Sequence, residues 1–148
     1  MKVKIINKSG YPTPCYAKDG DAGIDLTATE MFYDEYGNIC YKTGLFMEIP
    51  KGFVGLIFPR SSISKYITQL TNCVGVIDSG YRGEIMFKFK PSFHYHNRDT
   101  ELSTPDVYKV GDKIGQMIIM PYPQIEFEEV EDLSETDRGT GGFGSTTK

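Results

Sequence analysis

The densest chemistry in the chain lies in Gly75-Val-Ile-Asp78-Ser-Gly-Tyr81-Arg-Gly83-Glu84. Asp78 stands where an apolar run gives way to turn residues, so its carboxylate can meet a ligand and polarise a water for attack. Tyr81 follows, with a ring able to press against a sugar. Read for structure alone, the same segment is a β-hairpin, with Asp-Ser-Gly turning the chain between 74–77 and 85–89. A carboxylate at the end of such a strand serves both readings.

Four further segments set polar groups in apolar company. Pro59-Arg60-Ser61-Ser62 follows an apolar run, and hydroxyls with backbone amides at the start of a helical turn suit a phosphate. Serine caps helices at such places as a matter of course, which is the plainer reading. Ala22-Gly23-Ile24-Asp25-Leu26 holds one acid inside an apolar run. That acid is either paired or edge-exposed, or it touches a metal or its waters. Gln116, in Gly111-Asp-Lys-Ile-Gly-Gln116-Met, reads as a strand residue. Arg138-Gly-Thr-Gly-Gly-Phe143-Gly-Ser145-Thr146-Thr147 is too rich in glycine to pack a core. It is either a free tail or backbone that wraps phosphate, because amides without side chains approach anions closely. Its Gly139-x-Gly141-x-x-Gly144 fits the dinucleotide-binding pattern, but no strand precedes it and no helix follows.

The elements that must position these groups are short apolar runs between turn signals. They fall at 3–6, 24–29, 31–38, 39–49, 53–58, 67–77, 84–90, 113–122 and 125–130. Tyr36-Gly37-Asn38 and Pro50-Lys51-Gly52 supply turns. Gly or Pro in nearly every gap predicts an all-β sandwich or barrel. Residues 61–66 predict one short turn of helix, and no 3.6-residue period is sustained elsewhere. Residues 92–106, polar and carrying both histidines, read as a surface loop.

At 148 residues the chain makes one domain, able to bury roughly 70% of its extended surface without a disulfide or metal. Hydrophobic residues at 39% and charged residues at 24% are globular proportions. The net charge of −4 and the lack of clustered Lys and Arg argue against a nucleic-acid partner, though not against a small phosphate ligand. Cys15, Cys40 and Cys73 stand far apart with no CxxC pair, so they read as buried or half-buried free thiols of a reducing cytosol. No apolar run approaches the ~20 residues of a membrane span, and the start of the chain is unlike a signal peptide. A soluble intracellular protein is expected, with no membrane partner.

In order, AGIDL, PRSS, GVIDSGYRGE, GDKIGQM and RGTGGFGST resemble the five motifs of the trimeric dUTP pyrophosphatase (dUTPase) family, and YPTPCYAKDGDAGIDL resembles that family's opening. The resemblance implies a distorted jelly-roll β-sandwich or barrel forming a homotrimer. It divides the chain into a core, 1–132, and a flexible Gly-rich C-terminal arm, 133–148, which closes over a site shared between subunits. The implied activity is Mg²⁺-dependent hydrolysis of dUTP to dUMP and pyrophosphate, which keeps uracil out of DNA and supplies dUMP for dTTP synthesis. The implied place is the cytoplasm, the host's if the gene is viral.

The resemblance also assigns roles. Asp78 activates the water that attacks the α-phosphorus, and Asp25 meets Mg²⁺ through coordinated waters. Arg60, Ser61, the amide of Ser62 and Gln116 contact phosphates. Asn72 and the backbone of Gly75, Val76 and Ile77, on a hairpin, read uracil, and Tyr81 packs on the deoxyribose. Arg138 reaches the γ-phosphate, Phe143 stacks over uracil, and Gly144, Ser145 and Thr146 fold over the phosphates. Three departures stand out: Gly115 replaces a common alanine, a small change; Thr147-Lys148 ends the chain where a further glycine is usual; and the loop 92–106 is longer than the family's, read as decoration ahead of a partner surface.

Two other functions compete. A sister family of the same fold deaminates dCTP, using a glutamate five residues after the glycine that Gly83 matches. Lys88 holds that position here and cannot act as the acid or base. A regulatory protein that keeps the pocket but works by binding a partner is the second alternative, and the intact Asp78 argues for catalysis.

Overall fold

In a computed structural model, residues 1–91 and 107–142 are described. The expected loop 92–106, together with Phe143, Gly144, Ser145 and Thr146, lies outside them. Among the described residues there are nine strands and one short helix. The strands are β1 (Lys4–Asn7), β2 (Ile24–Thr27), β3 (Glu30–Tyr33), β4 (Ile39–Glu48), β5 (Phe53–Phe58), β6 (Thr68–Leu70), β7 (Gly75–Ile77), β8 (Glu84–Pro91) and β9 (Lys113–Pro121). A 3₁₀ turn over Ser61–Lys65 takes the place expected for a turn of helix.

Two antiparallel sheets form. One runs β1-β4-β8-β6, with β3 also on β4, and the other runs β2-β9-β5-β7. Successive side chains of a strand point to opposite faces, and β8 uses this plainly. Ile85, Phe87 and Phe89 are fully buried, while Lys88 and Lys90 are exposed. From the facing sheet Leu26, Ile57, Ile114 and Met117 complete the core with Tyr41, Leu45 and Tyr108. Each large side chain buried this way contributes about 1.5–3 kcal/mol. The all-β jelly-roll sandwich is therefore the fold.

Turn chemistry sets the strand ends. Gly52 takes φ +82° in the Pro50–Phe53 turn, which Phe53 N closes onto Pro50 O at 3.1 Å. At the β3–β4 turn Asp34 accepts hydrogen bonds from Tyr36 N, Asn38 N, Asn38 Nδ2 and Lys88 Nζ. These donors, the Asn38 amide foremost, hold its carboxyl well below the usual carboxylate range.

Four expectations are corrected. The run 67–77 is not one strand: β6 pairs with β8, β7 pairs with β5, and the chain changes sheets between them. Cys73 marks that passage with φ +59°. Segments 74–77 and 85–89 consequently make no hairpin, because β7 and β8 lie in different sheets. The run 125–130 pairs with no strand among the described residues, and Phe127 is 87% exposed. Its alternation is strand-like, but a strand needs a neighbour for its N–H and C=O groups. Finally, only Cys40 is buried, where burial raises its thiol pKa; Cys15 and Cys73 are exposed.

Candidate active site

Gln116 is the hub of one polar cluster. It lies opposite Asp25 in the β2–β9 pairing and opposite Phe58 in the β5–β9 pairing. Three motifs distant in sequence thus meet across three adjacent strands. The Gln116 side chain turns back so that Nε2 donates to Pro59 O at 3.1 Å. It can do so because Gly23 has no side chain, and a Cβ there would collide with Gln116 Oε1.

Asp25 binds two cations. Arg60 Nε donates to Oδ1 at 2.7 Å and Lys113 Nζ to Oδ2 at 3.0 Å, with the carboxylate 23% exposed. Both oxygens of this acid are thus ion-paired. The ion pair engages Arg60 through Nε. Ser61 is exposed, and Ser62 Oγ sits 3.2 Å from the hydroxyl of Tyr108. Lys113 and Tyr108 were missed as members of the cluster. Lys113 reaches Asp25 beside a register shift between Leu26 and Thr27, which no residue type announces.

A second group forms along β7. Gly75 lies opposite Ile57, Val76 opposite Leu56 and Ile77 opposite Gly55. Gly75 is buried against the Ile57 side chain, which fills the space a Cβ would need, and Asn72 lies beside it. Asn72, Val76 and Asp78 are exposed. Asp78 opens a turn that Tyr81 N closes onto Asp78 O at 3.0 Å. Tyr81 folds back over Gly83, its hydroxyl donating to Glu84 O at 3.0 Å.

These groups do not meet within one chain. Asp78 follows the residue opposite Gly55, whereas Arg60 lies beyond the far end of β5. At strand rise the separation is on the order of 15–20 Å. Arg138 belongs to neither group. It is exposed in a tight turn, with Nε donating to Gly141 O at 3.0 Å and Gly139 at φ +50°.

Among the described residues no three His, Cys, Asp or Glu side chains gather as a metal cage. With both Asp25 oxygens already paired, the donor set fits a hard cation held mainly by phosphate oxygens and water, the usual habit of Mg²⁺. Among the described residues no helix is long and apolar enough to cross a membrane.

A two-sheet jelly roll with polar motifs gathered on neighbouring strands is the class of structure defined here. The sequence profile of the dUTPase family matches residues 10–147, and the chain belongs to that family. The deoxyuridine 5'-triphosphate nucleotidohydrolase of Finegoldia magna is 45% identical over 150 residues, covering 99% of each chain. A solved structure of Staphylococcus bacteriophage 80alpha dUTPase with dUpNHpp superposes with a TM-score of 0.77 at 25% identity, covering 98% of each chain. The dUTPase of phage phi11 of S. aureus shares the fold at 24% identity, with a TM-score of 0.71, covering 89% of this chain and 98% of its own; it coordinates a structural Mg(II) ion.

Proposed function

We propose that this protein hydrolyses dUTP to dUMP and pyrophosphate. The observation that carries the reading is the meeting of Asp25, Gln116 and the Arg60–Ser62 turn on adjacent strands in a chain of this family. Arg60, Ser61, Gln116 and the amide of Ser62 bind the phosphates. Asp78 takes a proton from water as its oxygen bonds to the α-phosphorus. The bond from that phosphorus to the bridging oxygen breaks, and pyrophosphate leaves with the electron pair. Mg²⁺, when bound, neutralises charge on the triphosphate, with Asp25 reaching it through water. Arg138 adds charge neutralisation at the γ-phosphate.

Asn72 and the backbone of Gly75–Ile77 read uracil. Pairing groups that cytosine leaves unmatched cost far more than a missing methylene. Tyr81 lies against the deoxyribose and refuses a 2′-hydroxyl. Residues 133–148 act as an arm in which Phe143 stacks on uracil and Gly144, Ser145 and Thr146 cover the phosphates.

The assembly we assign is a homotrimer with each site shared between copies. Two observations support it: the separation of Asp78 from the Arg60 cluster, and the exposed apolar side chains Ile125, Phe127, Val130 and Leu133 on a segment that pairs with no strand among the described residues. The place of work we assign is the cytoplasm, which suits three free thiols.

The test is a panel of dUTP, dCTP, dTTP and UTP with Mg²⁺. Pyrophosphate released from dUTP alone is the expected result. Ammonia from dCTP, or tight dUTP binding without turnover, overturns it.

A further inference from the structure

Tyr108 lies outside all five motifs, yet it anchors one of them. We propose that Tyr108 is a positioning residue for phosphate binding, fixing the Arg60–Ser62 turn through its hydroxyl on Ser62 and its ring on Tyr66. The proposal rests on reading that turn as a phosphate contact.

Tyr108 itself is immobilised. It is 2% exposed, with its ring 5.6 Å from Phe89 and edge-on to Tyr41 at 6.4 Å. Its carbonyl accepts the Tyr41 hydroxyl at 2.7 Å. From this fixed base the hydroxyl reaches 3.2 Å to Ser62 Oγ, while the ring lies 4.2 Å from that of Tyr66. Ser62 lies in the first part of the 3₁₀ turn and Tyr66 directly follows its end, so one side chain touches both ends.

Besides Tyr108, the turn is held by Ile63, which packs against the core, and by the Arg60–Asp25 ion pair at its start. None of its residues is buried and no side chain caps it. The bonds at its ends and on its surface include Ile63 N to Arg60 O at 2.9 Å, Tyr66 N to Ile63 O at 3.0 Å and Ser64 Oγ to Ser61 O at 3.0 Å. Such short turns have poor hydrogen-bond geometry and depend on their surroundings. Phenylalanine would fill the same core space without the cost of desolvating a hydroxyl. The hydroxyl therefore contributes orientation: it holds the Ser62 side chain, and with it the amide beside Ser61.

The test removes only that oxygen. Tyr108→Phe is assayed for dUTP turnover, and its binding of inorganic tripolyphosphate is measured by calorimetry. Loss of one hydrogen bond should raise both KM and Kd about three- to tenfold. The contact serves bound substrate and transition state alike, so kcat should stay within about twofold. Ser62→Ala should raise the same two constants, and the double variant should be no worse than either single change. A Tyr108→Phe protein that melts earlier but keeps KM and Kd overturns the proposal, as do additive effects in the double variant. If wild-type protein binds tripolyphosphate, Tyr108→Phe weakens that binding, and dUTP is not split, the positioning role stands and the dUTP reading falls. If the wild type binds neither compound, both fall.

Discussion

Asp78 and Arg60 stand towards opposite ends of β5, Asp78 beside its start and Arg60 beyond its close, on the order of 15–20 Å apart at strand rise. On the homotrimer proposed above, one site takes them from different copies of the chain. Asp78→Asn and Gln116→Ala proteins, each inactive alone, should regain turnover when unfolded and refolded together. Mixtures that stay as inactive as their components would place both groups in one chain's site.

Asp78→Asn taken alone should keep its affinity for a non-hydrolysable dUTP analogue, because in the proposed mechanism the carboxylate acts on water and not on the base. Pyrophosphate release should fall at least about 10²-fold. Full activity in this variant would remove Asp78 from the chemistry.

Deleting 138–148 should cost turnover about 10³-fold, the order associated with an arginine that neutralises transition-state charge. Among the described residues Arg138 is exposed and bonds within its own turn, so the melting temperature should move by no more than about 3 °C. A collapse in stability would show that these residues pack on the core.

Gly115→Ala should destabilise the fold, although alanine at this position reads as a minor change in the sequence. Gly115 is buried, and an added Cβ would overlap the ring of Phe87, itself fully buried in the facing sheet. Overpacking of this kind costs about 1–3 kcal/mol, to be read from urea denaturation.

Asp34 should make stability fall in acid. Its folded pKa is depressed, so folding favours the ionised form. That contribution is complete above the unfolded value near 4 and drains away as the pH drops below it. The gap in Tm between wild type and Asp34→Asn should therefore narrow as the pH is lowered from about 6 to about 3. A constant gap would mean the carboxylate's charge is not what stabilises the turn.

The fold class was legible because alternation and turn residues are local signals. β4, β5, β8 and β9 emerge close to where 39–49, 53–58, 84–90 and 113–122 predict them. The change of sheet between β6 and β7 was not legible, since an unbroken apolar run carries no mark of which neighbour each half will find. The site divides along the same line. Asp25, Arg60 and Gln116 were picked out as chemical residue types in five ordered motifs. Lys113 and Tyr108 were not, because each enters the cluster through tertiary approach across strands.

The strand pairing also has a consequence for synthesis. Only β3 and β4 are both consecutive and paired among the described strands; β2, which carries Asp25, has β9 as its sole sheet neighbour. A chain leaving the ribosome cannot complete either the second sheet or the Asp25–Gln116 pairing until Lys113–Pro121 has emerged. Such reliance on distant partners makes folding slow and late, and a product truncated before β9 would leave the strand that carries Asp25 without its sheet neighbour.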